Sequence, residues 1–274
     1  MTYLNSLFSL NNKVAVVTGG TGVLGSSMVR ALAMAGAKVA IVGRRKDVAD
    51  ELAEQITKEG GTAIGVSADV LNAQQLIHAK KVILDKFGAI NILVNGAGGN
   101  MPGATIPPDR TFLDLKIEEF QKVVELNLTG SVLPSQILAE PIMSAKSGCI
   151  INISSMAAYL PITRVVGYSA AKAAISNFTQ WMAVEMAKKF GEGIRVNAIA
   201  PGFFLTEQNR TLLTNSDGGL TERGKSVISQ TPFGRFGKPD ELASTLIWLC
   251  SDGAKFVSGV VVAVDGGFSS YAGV

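Results

Sequence analysis

The amino-acid sequence predicts an α/β fold, in which about seven parallel strands form one doubly wound sheet with helices on both faces. Short runs rich in β-branched residues alternate with longer helical patterns along the whole chain, and most of these runs are apolar on both faces. Strands that are apolar on both faces are typical of parallel sheets covered by helices. Neither a repeat nor a linker interrupts the alternation, so we expect a single domain over residues 1–274.

The predicted elements follow one another in a regular order. Strands are expected at residues 14–17, 39–42, 63–66, 90–94, 149–153, 195–199 and 260–264, and helices at 23–35, 48–59, 73–87, 117 to about 133, 168–190 and 239–250. Trp181 and Trp248 fall in helical patterns, which favours places in the core. Residues 96–114 and 203–237 break the order, and loops of this length often form lids. We expect the second, with a weak helical pattern at 221–229, to be a substrate lid.

Composition excludes several classes of function. The formal net charge of +3, without a block of basic residues, argues against nucleic-acid binding. The sequence shows neither a signal peptide nor a run of 18 apolar residues, so no membrane association is expected and the predicted location is the cytoplasm. Cys149 and Cys250 cannot form a disulfide framework and lack metal-ligand spacing, and His78 is the single histidine. We therefore expect no metal site.

The clearest motif directly follows the first strand, where residues 18–25 read TGGTGVLG. Gly20, Gly22 and Gly25 satisfy the pattern G-x-G-x-x-G between a strand and a helix. Glycines let the backbone approach a pyrophosphate, and the free N–H groups at the start of the helix hold the anion. The sequence therefore predicts a Rossmann-type dinucleotide site, with contacts from Gly19, Gly20, Thr21, Gly22, Val23, Leu24 and Gly25.

The residues after the second strand bear on the identity of the cofactor. Arg44 and Arg45 stand there, where an NAD site usually has an acidic residue, and an arginine can meet the 2′-phosphate of NADP. We therefore predict a preference for NADP(H), with NAD(H) possible and Arg44 as the main contact. The alternative is a solvated basic turn.

The ends of the third and fourth strands offer further cofactor contacts. Asp69, followed by Val70, could bond the adenine, or it could equally cap the next helix. The turn after the fourth strand consists of Asn95, Gly96, Ala97 and Gly98. Small residues in this turn would let a cofactor ring and ribose lie against the backbone.

A second constellation suits proton transfer. Tyr168 and Lys172 are four residues apart in a helical segment, so they share one face. A phenol has a pKa near 10 in water and needs a nearby positive charge to act as an acid or base near neutral pH. Lys172 can supply that charge. Ser155 follows the fifth strand, where its hydroxyl could orient a carbonyl oxygen.

Together these residues resemble the short-chain dehydrogenase/reductase family, over nearly the whole chain. Residues 18–25 are similar to the cofactor loop of the family, although Val23 occupies the place of its middle glycine, a role that Gly22 could take. Residues 95–98 are similar to its Asn-Asn-Ala-Gly turn, and residues 264–267 to its closing motif. The resemblance implies an NAD(P)-dependent oxidoreductase that forms a homo-oligomer, commonly a tetramer.

The resemblance also implies a role for each residue of the site. Tyr168 would donate a proton to the carbonyl oxygen that Ser155 orients. Lys172 would lower the pKa of Tyr168 and hold the nicotinamide ribose, and Asn127 would connect Lys172 to solvent through a water molecule. Hydride would come from the nicotinamide. The contacts implied for the nicotinamide carboxamide are Pro201, Gly202 and Thr206.

Residues 201–210 and 98–100 resemble a subgroup of D-mannonate oxidoreductases (fructuronate reductases), with gluconate 5-dehydrogenases as near relatives. Asn100, Gln208 and Asn209 could meet hydroxyl groups, and Arg210 could pair with a carboxylate. The alternative is that all four form a solvated lid surface. This pattern predicts a small-molecule substrate, a sugar acid, and a 3-oxoacyl thioester is the main rival.

Two other classes of protein share features with this sequence. Residues 167–171 nearly match the elbow of a serine hydrolase, which needs a histidine later in the chain, and His78 comes earlier. A non-catalytic nucleotide sensor could share the fold, because fold alone does not give function. The presence of both Tyr168 and Lys172 favours catalysis.

Overall fold

The computed structural model describes residues 2–273, apart from the side chains of Glu207 and Gln208. Within this range seven strands form one sheet in the order β3-β2-β1-β4-β5-β6-β7, and every neighbouring pair is parallel. The strands are β1 Val14–Thr18, β2 Lys38–Gly43, β3 Thr62–Ser67, β4 Ile92–Asn95, β5 Gly148–Ile153, β6 Ile194–Pro201 and β7 Val261–Val264. The strand order reverses between β1 and β4, which is where sheets of this kind bind ligands.

Helices connect the strands and cover both faces. They are α1 Tyr3–Phe8, α2 Val23–Met34, α3 Lys46–Lys58, α4 Ala73–Phe87, α5 Ile117–Val124, α6 Gly130–Leu138, α7 Glu140–Ala145, α8 Val166–Phe190, α9 Glu207–Leu213, α10 Glu222–Ser229 and α11 Ala243–Cys250. Helices α2, α3 and α11 pack on one face of the sheet, and α4, α6 and α8 pack on the other. The prediction of a single-domain, doubly wound parallel sheet is confirmed.

Strand β1 shows why the sequence folds this way. All of its residues are buried. Val14 and Val16 belong to the core under α4 and α8, whereas Ala15 and Val17 belong to the core under α2 and α11. Burying an aliphatic side chain of this size contributes roughly 1.5–3 kcal/mol, so a strand that is apolar at every position is stable only between two layers of helices.

The helix predicted over residues 117 to about 133 differs from the structure. Helix α5 ends at Val124, a π-helical turn follows at Glu125–Thr129, and α6 continues to Leu138. A π-helical turn accommodates an extra residue, and such turns are frequent at functional sites. Here the turn contains Asn127, which is fully buried. A hydrophobic period alone cannot reveal such a turn.

Other differences concern short helices and one tryptophan. Helices α1, α7 and α9 were not predicted, because none is longer than seven residues and so short a segment shows no clear period. The prediction that Trp181 lies in the core is wrong, since 59% of its surface is exposed. Helix α8 carries apolar side chains on its solvent face as well as on its core face, so the sequence could not tell the two apart. Trp248 does pack against the core.

Residues 203–237 leave the sheet and return to it at one point. A parallel bridge joins Phe204 to Gly237, and the N–H of Gly237 donates to the carbonyl oxygen of Phe203 at 2.9 Å. A Cβ on Gly237 would lie 2.7 Å from the Phe204 ring, so only glycine fits there. Helices α9 and α10 lie inside this segment, and α10 confirms the weak helical pattern at 221–229.

Between residues 2 and 273, none of the helices is both long and apolar enough to cross a membrane. The longest, α8, ends in Lys188 and Lys189 and carries polar residues throughout.

Candidate active site

The glycine turn after β1 brings the carboxyl ends of two strands together. Gly19 has a φ of +67°, and a Cβ there would lie 2.7 Å from Cα of Ala97, in the turn after β4. A Cβ on Gly25 would collide with the carbonyl oxygen of Gly19. The two glycines are therefore required by close packing between β1, α2 and the turn after β4.

Gly22 has a different role, because it is the N-cap of α2. It is exposed, and a Cβ there would meet nothing closer than 3.4 Å. Val23 begins the helix, where a side chain is tolerated, which explains how the chain departs from the family loop at this position. The first N–H groups of a helix have no intrahelical acceptor. Beside the exposed Gly22 they form a surface suited to a pyrophosphate.

The adenosine end of the predicted site lies beyond β2 and β3. Arg44 and Arg45 are exposed directly after β2, next to Thr21, whose Oγ1 faces Gly43. The carboxylate of Asp69 accepts the N–H of Leu71 at 2.9 Å, which closes a local turn.

The N-cap of α4 is Asn72, whose side chain accepts the N–H of Gln75 at 3.0 Å. The alternative that Asp69 caps this helix is therefore wrong. Val70 is buried and faces Gly130 of α6.

The side chains of Thr18 and Asn95 hold the turn after β4 in place. Thr18 Oγ1 accepts the N–H groups of Gly96 at 3.2 Å and Ala97 at 3.3 Å. The side chain of Asn95 is buried and donates to Ser135 Oγ and Asn152 Oδ1, both at 2.8 Å. The expectation that Asn95 contacts the cofactor is wrong for its side chain. That side chain is buried and anchors the start of the turn from inside the protein.

Ser155, Tyr168 and Lys172 come together at the ends of β5 and α8. Lys172 Nζ lies 5.4 Å from the centroid of the Tyr168 ring and donates to the carbonyl oxygen of Ile153 at 2.8 Å. The Ser155 hydroxyl accepts the N–H of Ala157 at 3.1 Å and lies close enough to Tyr168 to influence the pKa of the phenol. The end of β5 and one face of α8 thus bring a hydroxyl, a phenol and an ammonium together.

Burial controls the protonation of this group. The pKa of Tyr168 is raised above its ordinary value because burial destabilises the phenolate, and the hydrogen bond from Ser155 only partly opposes this. Burial lowers the pKa of Lys172 to about 8. The expectation that Lys172 lowers the pKa of Tyr168 is therefore not met in this structure. The phenol stays protonated near neutral pH, which is the form that donates a proton.

Asn127 lies on the other side of Lys172. Its side chain pairs with both backbone groups of Gly99, accepting the N–H at 3.1 Å and donating to the carbonyl at 2.7 Å. A Cβ on Gly98 would lie 2.6 Å from Asn127 Oδ1 and 3.3 Å from Lys172 Nζ. Asn127 and Lys172 therefore face the same glycine, so the π-helical turn joins the site that the sequence predicts.

The segment after β6 forms the remaining wall. The N–H of Gly202, next to Pro201, donates to the carbonyl of Val264 at 2.9 Å, and Thr206 is the N-cap of α9. Asn209 accepts the N–H of Thr206 at 2.7 Å and donates to the carbonyl of Phe204 at 2.8 Å. The expectation that Asn209 meets substrate is corrected, because its amide is used to build this turn.

Three other expected substrate residues have different surroundings. Asn100 is exposed and donates to Thr105 Oγ1 at 2.7 Å. Arg210 is exposed on α9. The side chain of Gln208 lies outside the described part of the structure.

Comparison with known proteins identifies the family. A family model described as enoyl-(acyl carrier protein) reductase matches residues 21–269. An uncharacterized oxidoreductase of Bacillus subtilis strain 168 is 49% identical, with 97% of this chain and 98% of the relative covered. The chain belongs to the short-chain dehydrogenase/reductase family.

Two solved structures add cofactors to this comparison. One, named a D-mannonate oxidoreductase from Haemophilus influenza, contains NAD; it is 42% identical with a TM-score of 0.91, covering 97% of this chain and 98% of that one. A gluconate 5-dehydrogenase from Burkholderia cenocepacia J2315, in complex with NADP and tartrate, is 31% identical with a TM-score of 0.87, covering 98% and 100%. The present dehydrogenase/reductase is an NAD(P)-dependent oxidoreductase.

The residues of this dehydrogenase/reductase fit a nicotinamide dinucleotide. The start of α2 offers N–H groups beside the exposed Gly22, and the surface continues along the turn after β4 to Lys172. By contrast, no three His, Cys, Asp or Glu side chains within the described residues come close enough to hold a metal ion. The chemistry that the site supports on its own atoms is proton transfer at Tyr168.

Several residues of the site escaped the sequence analysis. Ile153 and Gly99 anchor Lys172 and Asn127 through backbone atoms, which no side-chain motif reveals. Arg223 of α10 donates to Oγ1 and to the carbonyl oxygen of Thr163, in the loop before Tyr168. The sequence shows Arg223 only as a basic residue in the predicted lid, which does not identify its partner.

Proposed function

We propose that this oxidoreductase acts on a sugar acid of the D-fructuronate/D-mannonate type, reducing the ketone or oxidising the corresponding secondary alcohol. The observation that carries this proposal is the 42% identity, over 97% of the chain, to a structure named a D-mannonate oxidoreductase. The similarity to a gluconate 5-dehydrogenase with bound tartrate supports the same class of substrate, since tartrate is also a hydroxy acid.

In the proposed reduction, bound nicotinamide supplies the hydride to the carbonyl carbon. Ser155 orients the carbonyl oxygen by a hydrogen bond, and Tyr168 donates its phenolic proton to that oxygen as the alcohol forms. The resulting phenolate is stabilised by the ammonium of Lys172, which lies beside the ring. Asn127 faces Lys172 across Gly98 and connects it to solvent through water. Reversing these steps oxidises the alcohol.

The preferred cofactor in this proposal is NADP(H), with NAD(H) also accepted. Arg44 and Arg45 are exposed after β2 and next to the glycine turn, where a 2′-phosphate would lie. The adenine would lie against Asp69 and Val70. The carboxamide of the nicotinamide would contact Pro201, Gly202 and Thr206, at the start of segment 203–237, which would act as a substrate lid.

We also propose that the enzyme forms a homo-oligomer, as a tetramer. Trp181 and Val184, both on α8, expose more than half of their surface, and Phe178 stacks on Trp181. Large exposed apolar side chains on one helix suit an interface between subunits.

A substrate screen tests the proposed function. Purified enzyme is offered D-fructuronate, D-mannonate, gluconate and a 3-oxoacyl thioester with each cofactor, and the absorbance of the reduced nicotinamide is followed. We expect D-fructuronate and D-mannonate to give the highest kcat/KM. Higher kcat/KM with the thioester would favour the rival suggested by the family description, and cofactor binding without turnover of any substrate would favour a nucleotide sensor.

A further inference from the structure

Two arginines lie near the point where helix α10 contacts the loop before Tyr168. Arg223 of α10 donates to Thr163 Oγ1 at 3.3 Å and to the carbonyl oxygen of Thr163 at 3.4 Å. Arg164 is the next residue along that loop. This contact joins segment 203–237 to the chain that connects Ser155 with Tyr168, so the two arginines stand at the boundary between the candidate lid and the reacting groups.

The backbone of Arg164 is held in an unusual conformation. Its φ is +76°, a value that residues other than glycine, asparagine and aspartate seldom adopt. The carbonyl oxygen of Arg164 accepts the N–H of Ile106 at 3.0 Å, which ties this loop to the segment after β4. Strained residues held by surrounding structure cluster at active sites and ligand clamps. The position of Arg164 is thus fixed between two walls of the site.

The charges of this pair are not neutralised by the described side chains. Among those side chains, neither Arg164 nor Arg223 has a carboxylate within 4.0 Å. Both arginines are half-buried. The pKa of Arg223 is lowered by burial and by the neighbouring charge of Arg164. Two partly buried like charges repel each other, and an anion between them would relieve this repulsion.

We propose that Arg164 and Arg223 bind the carboxylate of the substrate. This inference rests on the proposed function, since it assumes a sugar acid with its ketone at Tyr168 and its carboxylate at the far end of the carbon chain. Guanidinium groups match carboxylates geometrically and keep their charge at every accessible pH. Because one arginine comes from α10 and the other from the loop before Tyr168, a bound carboxylate would also hold the lid segment against the site. The pair replaces Arg210, the residue first expected in this role, which is exposed on α9.

The test compares two substrates that differ only in the group at one end of the carbon chain. D-Fructose carries a hydroxymethyl group where D-fructuronate carries the carboxylate. We expect Arg164→Met and Arg223→Met each to lower kcat/KM for D-fructuronate roughly 10- to 100-fold, the loss of one charged hydrogen-bonding partner. The kcat/KM for D-fructose, which has no carboxylate, should change little. Arg164→Lys and Arg223→Lys should retain part of the activity on D-fructuronate.

Lys225→Met is the matched control, because Lys225 lies on the same helix and pairs with Glu222 at 2.7 Å. It should leave both substrates unaffected. Binding of reduced cofactor, followed by its fluorescence, and thermal unfolding show whether each variant remains folded.

Three outcomes would overturn the inference. Equal losses for D-fructuronate and D-fructose would indicate a structural role for the two arginines. Unchanged kcat/KM in both Met variants, with a loss in Arg210→Met, would assign the carboxylate to Arg210. A wild-type enzyme without turnover of any sugar acid, but active on another carbonyl compound, would instead overturn the proposed function, and the inference with it.

Discussion

Lys172 donates from Nζ to the carbonyl oxygen of Ile153 at 2.8 Å, so the end of strand β5 holds the ammonium beside the Tyr168 ring. The neighbouring Ser154 donates from Oγ to the carbonyl oxygen of Lys172 at 3.2 Å. Lys172 is therefore fixed to β5 through both its side chain and its backbone. This double attachment aligns α8 with the end of β5, which Ser155 follows closely.

The first prediction concerns stability and pH. Burial lowers the pKa of Lys172 to about 8 from an ordinary value of 10.5. Between these pH values the unfolded chain binds more protons than the folded chain, so the free energy of unfolding rises with pH. This contribution of Lys172 to stability is complete above the pKa of the lysine in the unfolded chain and is lost as the pH falls to about 8. From pH 8 to pH 10 we expect a gain of about 2 kcal/mol in the wild type relative to Lys172→Met.

Denaturant unfolding at a series of pH values measures this difference. Lys172→Met leaves the carbonyl of Ile153 without its donor, which changes stability by an amount that does not depend on pH. Comparing slopes therefore isolates the titration of Lys172. Parallel curves for the two proteins would show that Lys172 titrates at its ordinary pKa.

The second prediction concerns the proton donor. Tyr168→Phe removes the phenolic hydroxyl and keeps the ring next to Lys172, so turnover should fall by roughly 10²- to 10⁴-fold. Cofactor affinity should change little, as measured by the fluorescence of the reduced nicotinamide on binding. Unchanged turnover in this variant would refute the assignment of Tyr168.

The fold was predictable because the signals for it are local. Strand β1 is apolar from Val14 to Val17, and the glycine turn follows it at once, so the sequence indicates both the parallel sheet and its ligand-binding edge. Trp181 shows where the same reasoning fails. An apolar residue on a helix predicts burial. The residue type alone does not show whether the protein core or another subunit would bury the side chain.

The third prediction concerns the space between Asn127 and Lys172. Gly98→Ala would place a methyl group 2.6 Å from Asn127 Oδ1 and 3.3 Å from Lys172 Nζ. Displacing these two groups should lower kcat at least roughly 10-fold, because small misplacements in a catalytic site are costly. Gly253→Ala is the control, since its Cβ would meet nothing closer than 3.3 Å and lies away from the site. Equal kcat values in wild type and Gly98→Ala would contradict the prediction.

The fourth prediction concerns cofactor preference. Arg44→Ala should lower kcat/KM for NADP(H) roughly 10- to 100-fold, because a charged contact to the 2′-phosphate is lost, and leave NAD(H) nearly unchanged. Lys46→Ala is the control, as Lys46 is paired with Asp50 at 2.6 Å. Steady-state kinetics with NADP(H) and with NAD(H) measure the two kcat/KM values. A wild-type enzyme that strongly prefers NAD(H) would show that the basic turn is merely solvated.

The fifth prediction concerns assembly. Trp181→Glu places a charge on the exposed apolar surface of α8, so the proposed tetramer should dissociate into smaller species in light scattering. Ile77→Glu on α4, at a position that is also apolar and exposed, should leave the assembly intact. A monomeric wild type would contradict the proposal.

The catalytic side chains were easier to predict than their support. Tyr168 and Lys172 share a helical spacing, and Ser155 follows a strand, so sequence patterns suffice for them. Asn95 was assigned to the cofactor as part of the turn after β4, and Asn209 to the substrate because its amide is polar. The Asn95 amide instead bonds Ser135 and Asn152, and the Asn209 amide holds a backbone turn. Such hydrogen bonds join residues that the fold brings together, and sequence spacing does not record them.

The bridge between Phe204 and Gly237 has a consequence for how this enzyme could diversify. A segment whose two ends meet at one point of the sheet can be lengthened, shortened or exchanged at a small cost in loop-closure entropy. The groups for proton transfer, Ser155, Tyr168 and Lys172, lie after β5 and on α8, outside that segment. Transplanting residues 203–237 between relatives is therefore a direct route to new substrate selectivity on an unaltered catalytic framework.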